Sequence, residues 1–424
     1  MKNILLFGAG KSATCLIQFL ETTVAARNWQ LVVAESNLEL AQSKLSNIPR
    51  AKAVQVSVEQ QQQRDDLIRD ADIVISLLPP ALHYLVATSC IQWKKHLLTA
   101  SYLDDKIKAL TPAIEKNGLL FLCEMGLDPG IDHMSAMQLI HGIRDAGGKI
   151  HSFRSHTGGL VSPVSDDNPW HYKISWNPRN VVLAGSAGAK YMEGGTVITK
   201  SYEELFRKIN EVRVSGLDTL AWYPNRDSLS YIPIYGLDGI TTFIRTTLRY
   251  PDFIRGWAPV VEAGLTDDKI LLSHSSIAQW SALIQPLTNG ANRPQLEYLG
   301  FFDEDPIPAS ARTSADVLQY LLETRLAMRP GDKDMIVMLH EIAYTNADGH
   351  PGSTNSSLIV HGEDHLRTAM AKTVGLPLGI AAVLILEEKI SLTGLHIPIL
   401  PEIYTPVLEE LARHDISFTE TSAH

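Results

Sequence analysis

The chain has 424 residues, 45 % apolar and 20 % charged, the composition of a folded protein of two or three domains and not of a disordered one. Its 37 basic and 47 acidic residues leave a net charge of −10, which argues against nucleic acid or an anionic membrane as the main partner. Cys15, Cys90 and Cys123 include no CxxC pair, so neither a disulfide framework nor a cysteine zinc site is expected. A reducing, cytoplasmic compartment fits them.

The longest apolar run, 375–386, falls short of the roughly 20 residues that a bilayer demands. The apolar start of the chain breaks at Gly8 and meets Lys11, so it reads as a buried strand and not as an export signal.

In chain order, residues 3–7, 31–34, 53–58, 73–77, 96–99 and 119–122 are short apolar runs. Helix-length segments at 12–22, 38–45, 59–69, 81–90 and 104–116 separate them. That alternation predicts an α/β protein with a Rossmann-type doubly wound parallel sheet and right-handed crossovers. A turn at 126–130 then feeds a helix over 131–146. Strand-like segments follow at 149–157, 181–183 and 195–199, and helical periodicity at 252–262, 277–287 and 314–328. Strand alternation returns at Met335, Val337 and Leu339 and near 357–360, before a last apolar helix over 369–388. Three domains are expected. The first covers 1–125, with 376–424 packing back on it; an α/β domain covers 126–250 and 331–375; a small helical domain covers 251–330. A hinge is expected near Glu124.

Gly8-Ala9-Gly10-Lys11-Ser12-Ala13 lies between the first strand and the first helix. It fits the dinucleotide fingerprint GxGxxA: Gly8 for the tight turn, Gly10 for close approach of a pyrophosphate, Ala13 for helix–sheet packing. The helix start supplies N–H groups to the phosphates. A P-loop is excluded, because the residue five places before Gly10 is Leu5. Glu35 ends the second strand, where a carboxylate binds ribose hydroxyls and repels a 2′-phosphate. No Arg follows at Ser36 or Asn37, so NAD is expected over NADP.

The runs Ser76-Leu77-Leu78-Pro79-Pro80 and Thr99-Ala100-Ser101-Tyr102 lie at carboxyl ends of parallel strands, where such sheets bind ligands. Tyr102 either holds substrate or a proton, or packs. Asp128 either positions or deprotonates an amine, or caps the helix that follows. Asp132 and His133 read as structural. No HExxH appears among the 15 histidines, so no metal site is expected. Arg226 and Arg249 lie in two Arg-bearing stretches of an acidic chain, and Arg is suited to bidentate carboxylate recognition.

Together these motifs resemble the saccharopine reductase family, the glutamate-forming saccharopine dehydrogenases and the matching half of aminoadipic semialdehyde synthase. The likeness runs through Ser76-Leu77-Leu78-Pro79, Ala100-Ser101-Tyr102, Gly126-Leu127-Asp128-Pro129-Gly130-Ile131-Asp132-His133-Met134 and Gly158-Gly159-Leu160. It continues in Tyr172-Lys173-Ile174-Ser175-Trp176, Tyr223-Pro224-Asn225-Arg226-Asp227, Thr247-Leu248-Arg249-Tyr250, Thr373-Val374-Gly375-Leu376-Pro377 and Pro401-Glu402-Ile403-Tyr404. The resemblance implies reversible NAD(P)-dependent oxidation of L-saccharopine to L-glutamate and 2-aminoadipate 6-semialdehyde, by a homodimer. It implies substrate contacts at Ser101, Tyr102, Asp128, Arg226, Thr247, Leu248 and Arg249, with Lys173 a further partner. Cofactor contacts are implied at Leu77, Leu78, Leu127, Asp128, Pro129 and Asn177, beside the glycine loop. Asp128 and Tyr102 would handle protons at the amine.

Two departures stand out. Ser155-His156-Thr157 replaces the Ser-Tyr-Cys common in relatives, so that His156 substitutes for the Cys or simply packs. Glu35 stands near where the NADP-using relatives carry Arg, which favours NAD and the lysine-degrading direction. The competing readings are a carboxynorspermidine-type dehydrogenase of polyamine metabolism and a non-catalytic nucleotide-sensing homologue.

Overall fold

The computed structural model describes residues 1–423. The chain clusters into two compact units, Met1–His141 with Met370–Ser417, and Gly142–Ala369 with the residues from Phe418 on. These boundaries fall at 141/142 and 369/370, not at 125/126 and 375/376. The helices expected to stand as a separate domain are part of the second unit.

The first unit contains β1 (Asn3–Phe7), β2 (Gln30–Glu35), β3 (Ala51–Gln55), β4 (Ile73–Ser76), β5 (His96–Thr99) and β6 (Leu120–Leu122). They form one parallel sheet in the order β6-β5-β4-β1-β2-β3, and Gly394–His396 adds a seventh strand beside β6. Ile4, Leu5, Leu6 and Phe7 are all buried, as are Ile73, Val74 and Ile75. A strand covered on both faces has no polar side to offer, so it reads as an unbroken apolar run. The order reverses between β1 and β4, and sheets of this kind bind ligands at such a switch point.

The helices that matter here are α1 (Thr14–Arg27), α2 (Leu38–Lys44), α3 (Gln61–Asp70) and α4 (Pro80–Trp93). Pro80 sits in the first turn of α4, where its missing N–H costs nothing. The segment expected to be one helix over 104–116 is two, Asp105–Lys108 and Thr111–Lys116. Pro112 cannot donate to the preceding turn, so it opens the second piece instead of continuing the first.

The apolar helix Ala369–Leu386 has 18 residues, longer than its uninterrupted apolar run, and is long and apolar enough to cross a membrane. Within this protein 83 % of it is buried. It lies close on α1: a Cβ on Gly375 would stand 2.9 Å from Leu16 Cβ, and one on Gly379 would stand 2.7 Å from the Phe19 ring.

The second unit is built on a mixed ten-stranded sheet. At its centre Lys149–Val161 runs parallel to Thr242–Arg249 and antiparallel to Asp334–Thr345. The helices Pro251–Glu262, Arg293–Leu299 and Ser314–Arg325 share one apolar core with Trp170, Tyr172, Ala221 and Tyr223. That common core makes them part of the unit. Residues expected to be strand at 181–183 lie in or next to the short helix Pro178–Val182, because Asn177 accepts the Arg179 N–H and Pro178 opens the turn.

The α1 contact yields a paired test of helix glycines. Gly375→Ala gains about 1 kcal/mol of helix propensity but should lose about 1–3 kcal/mol to crowding against Leu16. Gly142 has open space around its Cβ position, so Gly142→Ala should be neutral or stabilising. Urea unfolding should show Gly375→Ala to be the less stable of the two variants.

Candidate functional site

The glycine loop follows β1. Gly8 has φ +99°, and a Cβ there would meet the Leu77 carbonyl oxygen at 2.8 Å. Only glycine satisfies both constraints. Gly10 is exposed and has open space around its Cβ position. The short 3-10 turn Lys11–Ala13 leads into α1 with no side-chain cap and no acidic residue in the first turn. Ala13 is buried, Ser12 half-buried and Lys11 exposed. An uncapped helix start behind an open glycine loop fits a dinucleotide pyrophosphate. Leu77 and Leu78, both half-buried, leave β4 directly beside this loop.

Glu35 is already engaged. Its Oε2 accepts the Ala9 N–H at 2.8 Å, and its Oε1 accepts the Ser36 N–H at 2.7 Å and the Ser36 hydroxyl at 2.8 Å. Burial raises its pKa, but the hydrogen bonds from Ala9, Ser36 and Asn37 outweigh that and hold it below the usual carboxylate value. The side chain is thus ionised and joins the end of β2 to the loop. Lys44, which sequence reasoning passed over, braces the other side by donating to Gly10 O at 2.9 Å and to Thr14 Oγ1.

At the carboxyl end of β5, the Tyr102 hydroxyl donates to Asp128 Oδ1 at 2.9 Å. Both residues are half-buried. Asp128 belongs to the turn Gly126–Gly130, whose Asp128–Pro129 peptide is cis. At the helix start the Gly130 N–H is taken by Asp132 at 2.6 Å. Leu127 and Pro129 are buried in the same turn.

What brings Tyr102 and Asp128 together is Glu124, which the sequence reading marked only as a hinge. Glu124 is 4 % exposed and has φ +59°. Its Oε1 accepts the Leu103 N–H at 2.9 Å, and its Oε2 meets Nε2 of the fully buried His133 at 2.8 Å. One carboxylate therefore joins the Tyr102 loop to the helix that carries the Asp128 turn. Burial raises the Glu124 pKa, but His133 and the Leu103 N–H bring it below the usual value.

A second residue missed in the sequence is His83, in the first turn of α4. Its Nδ1 lies 2.8 Å from Ser76 Oγ, and its Nε2 lies 2.8 Å from Ser101 Oγ and 3.2 Å from Thr99 Oγ1. The signal was available: a polar residue just after Pro79-Pro80 at the mouth of a sheet.

In the second unit, Arg249 ends the strand Thr242–Arg249 and is 3 % exposed. It donates to the Leu248 carbonyl at 2.8 Å, its Nε has no partner, and it pairs with no carboxylate among the described residues. Its guanidinium stands 5.3 Å from the Tyr172 ring centre and 5.2 Å from that of Phe253. Lys173 is 4 % exposed, but its ammonium is matched by Asp332 at 2.8 Å and Asp167 at 3.0 Å. Burial lowers its pKa, yet those two carboxylates raise it overall.

Arg226 is exposed at φ +49° in the short strand Arg226–Asp227. Thr247 is half-buried and Leu248 fully buried. Asn177 is exposed, and its amide oxygen is the cap of the helix Pro178–Val182. His156 packs: it is 1 % exposed, held between Thr246 Oγ1 at 2.7 Å and Glu341 Oε2 at 3.0 Å.

Comparison with known proteins agrees along the whole chain. Residues 4–122 match the family described as saccharopine dehydrogenase NADP binding domain, and residues 126–416 match the saccharopine dehydrogenase C-terminal domain. The NADP(+)-dependent, L-glutamate-forming saccharopine dehydrogenase of Saccharomyces cerevisiae is 34 % identical over 97 % of this chain and 96 % of its own. The alpha-aminoadipic semialdehyde synthase of Arabidopsis thaliana is 32 % identical over 99 % of this chain. This chain spans 44 % of that longer protein. Among solved structures, apo saccharopine dehydrogenase (L-Glu forming) from Saccharomyces cerevisiae superposes with a TM-score of 0.90 at 31 % identity, covering 100 % of both chains. A homospermidine synthase from Legionella pneumophila, at 10 % identity and a TM-score of 0.59, shares the fold alone.

Glu124 gives this site a measurable signature. Glu124→Ala should lower the unfolding free energy by about 1–3 kcal/mol for each buried partner it strands, the Leu103 N–H and His133. The acid behaviour follows from the depressed native pKa. The contribution of Glu124 is present above its ordinary value of 4.5 and is lost as pH falls through the lower folded value. Below that ordinary value, wild-type Tm should therefore drop more steeply with pH than that of Glu124→Gln.

Proposed function

The chain belongs to the saccharopine dehydrogenase family, and on that premise we propose that it oxidises L-saccharopine with an NAD(P)-type dinucleotide. Water enters and the products are L-glutamate, 2-aminoadipate 6-semialdehyde, the reduced dinucleotide and a proton. The observation that carries the reading is Arg249. A guanidinium sealed from water among rings, with no carboxylate partner among the described residues, is costly unless a ligand supplies the anion. Saccharopine bears three carboxylates, and Arg is the side chain that takes one in bidentate fashion. Exposed Arg226 is a further carboxylate partner. Lys173 is a weaker one, since Asp332 and Asp167 already neutralise it.

A dinucleotide bound at the Gly8–Ala13 loop supplies the hydride acceptor. This chain's residues do the rest. The secondary amine of saccharopine must lose its proton before the neighbouring methylene can give up hydride. The Tyr102–Asp128 pair offers a carboxylate and a hydroxyl in contact to take and hold that proton. The carbon–nitrogen double bond left behind is then attacked by water. A proton returned to nitrogen lets glutamate leave as the amine and the semialdehyde remain.

Within the cofactor class two observations pull apart. The ionised Glu35 argues for NAD, since a 2′-phosphate would have to settle beside it. The family description and the yeast relative carry the name NADP.

Absorbance at 340 nm with L-saccharopine, against NAD⁺ and NADP⁺ in parallel, tests the reaction. No turnover with either, and no glutamate formed, would defeat it. Arg249→Gln should raise the saccharopine KM by about tenfold to a hundredfold, the range for one charged hydrogen bond, with a smaller change in kcat. Whichever cofactor the wild type favours, Glu35→Ser should shift kcat/KM toward NADP⁺ by about tenfold, equivalent to 1.4 kcal/mol. An unchanged ratio would assign Glu35 to loop structure alone.

A further inference from the structure

His83 belongs to neither the glycine loop nor the Tyr102–Asp128 pair, yet three hydroxyls converge on it. It is 4 % exposed, and Ser76 is fully buried. Ser76 and Thr99 end the adjacent parallel strands β4 and β5, and Ser101 follows β5. The Ser101 N–H also donates to Thr99 Oγ1 at 3.2 Å, which fixes the backbone from which the Ser101 side chain springs.

A neutral imidazole has one N–H and one lone pair, so the direction of each bond follows from the needs of its neighbours. The buried Ser76 hydroxyl makes no other side-chain hydrogen bond among the described residues, so its hydrogen has only Nδ1 to go to. That places the ring hydrogen on Nε2. There it meets Ser101 Oγ at 2.8 Å and, at 3.2 Å, Thr99 Oγ1. Two oxygens share one hydrogen without difficulty. The opposite tautomer would leave the Ser76 hydrogen without an acceptor and make two hydroxyls compete for one lone pair. The Thr99 hydrogen is the one left over, and Thr99 keeps 4 % exposure where Ser76 keeps none.

We propose that His83 is a positioning residue for substrate: by donating its Nε2–H to the Ser101 oxygen, it reserves the Ser101 hydroxyl hydrogen for a carboxylate of the amino-acid substrate. This rests on the reaction assigned above. Burial, only partly offset by Asp104, pushes the His83 pKa down to about 4, so the ring stays neutral at working pH. A neutral ring donates with direction but adds no charge. It can orient Ser101 without competing for the carboxylate.

Two measurements test it. In protein labelled with ¹⁵N-histidine, the His83 resonances, assigned by their loss in His83→Gln, should show a neutral ring protonated at Nε2 at pH 7.5. A ring protonated at Nδ1, or a cation, would overturn the proposal. In kinetics, His83→Leu should raise the saccharopine KM about tenfold, the scale of one hydrogen bond to a charged group, with the dinucleotide KM within about twofold. His83→Gln, whose amide can still donate toward Ser101, should recover most of that loss. His83→Leu combined with Ser101→Ala should be no worse than Ser101→Ala alone. Additive losses, or a lowered Tm with unchanged KM, would reduce His83 to packing. If the wild type does not turn over saccharopine, the reaction falls, while the tautomer still decides whether His83 is the donor to Ser101.

Discussion

The buried carboxylate of Glu124 is the constraint on which the first unit's site depends. Tyr102 and Asp128 are 26 residues apart, on two loops that share no strand. Each loop end is tied to the same side chain: the Leu103 N–H on one side, and on the other His133, in the first turn of the helix that follows the Asp128 turn. A charge kept this far from water stays ionised only while both partners hold. The geometry of the Tyr102–Asp128 contact is therefore coupled to the integrity of a buried carboxylate and its two partners, not to the flexibility of two surface loops.

The second unit shows a complementary use of charge. Lys173 and Arg249 are both buried cations on segments that sequence reasoning grouped together. Lys173 is answered by two carboxylates of its own chain, so its charge is spent on structure. Arg249 is answered by aromatic faces and one carbonyl, which support a guanidinium but do not neutralise it. Residue type alone does not distinguish them. The distinction comes from what the folded chain places within about 3 Å of each.

The glycine loop was legible because its requirements are local. Gly8 needs a positive φ and room beside Leu77, and the pattern strand–GxGxxA–helix states both within a dozen residues. The buried strands β1 to β6 were legible for a similar reason, since two covered faces demand continuous apolar runs. Asp128 stood between two roles on sequence alone; its contact with Tyr102 decides where its Oδ1 goes. The position of Glu35 at the end of the second strand marks it as a ribose ligand, and the structure adds that its oxygens also accept from Ala9 and Ser36. No spacing rule reports how a carboxylate divides itself between backbone and ligand.

What the sequence determined by itself is the layout: a doubly wound sheet, its switch point and the glycine turn that opens the first helix. Each depends on periodicity or on a residue whose backbone freedom is special, and both are properties of neighbouring positions. The tertiary structure alone decided the partnerships: Glu124 with His133, His83 with Ser76 and Ser101, Lys173 with Asp167 and Asp332, His156 with Thr246 and Glu341. It also decided that the helices expected to form a separate domain over 251–330 join the second unit's core. These are pairings between distant positions, set by burial and by the need of every sealed polar group for a partner, and that need has no signature in local order.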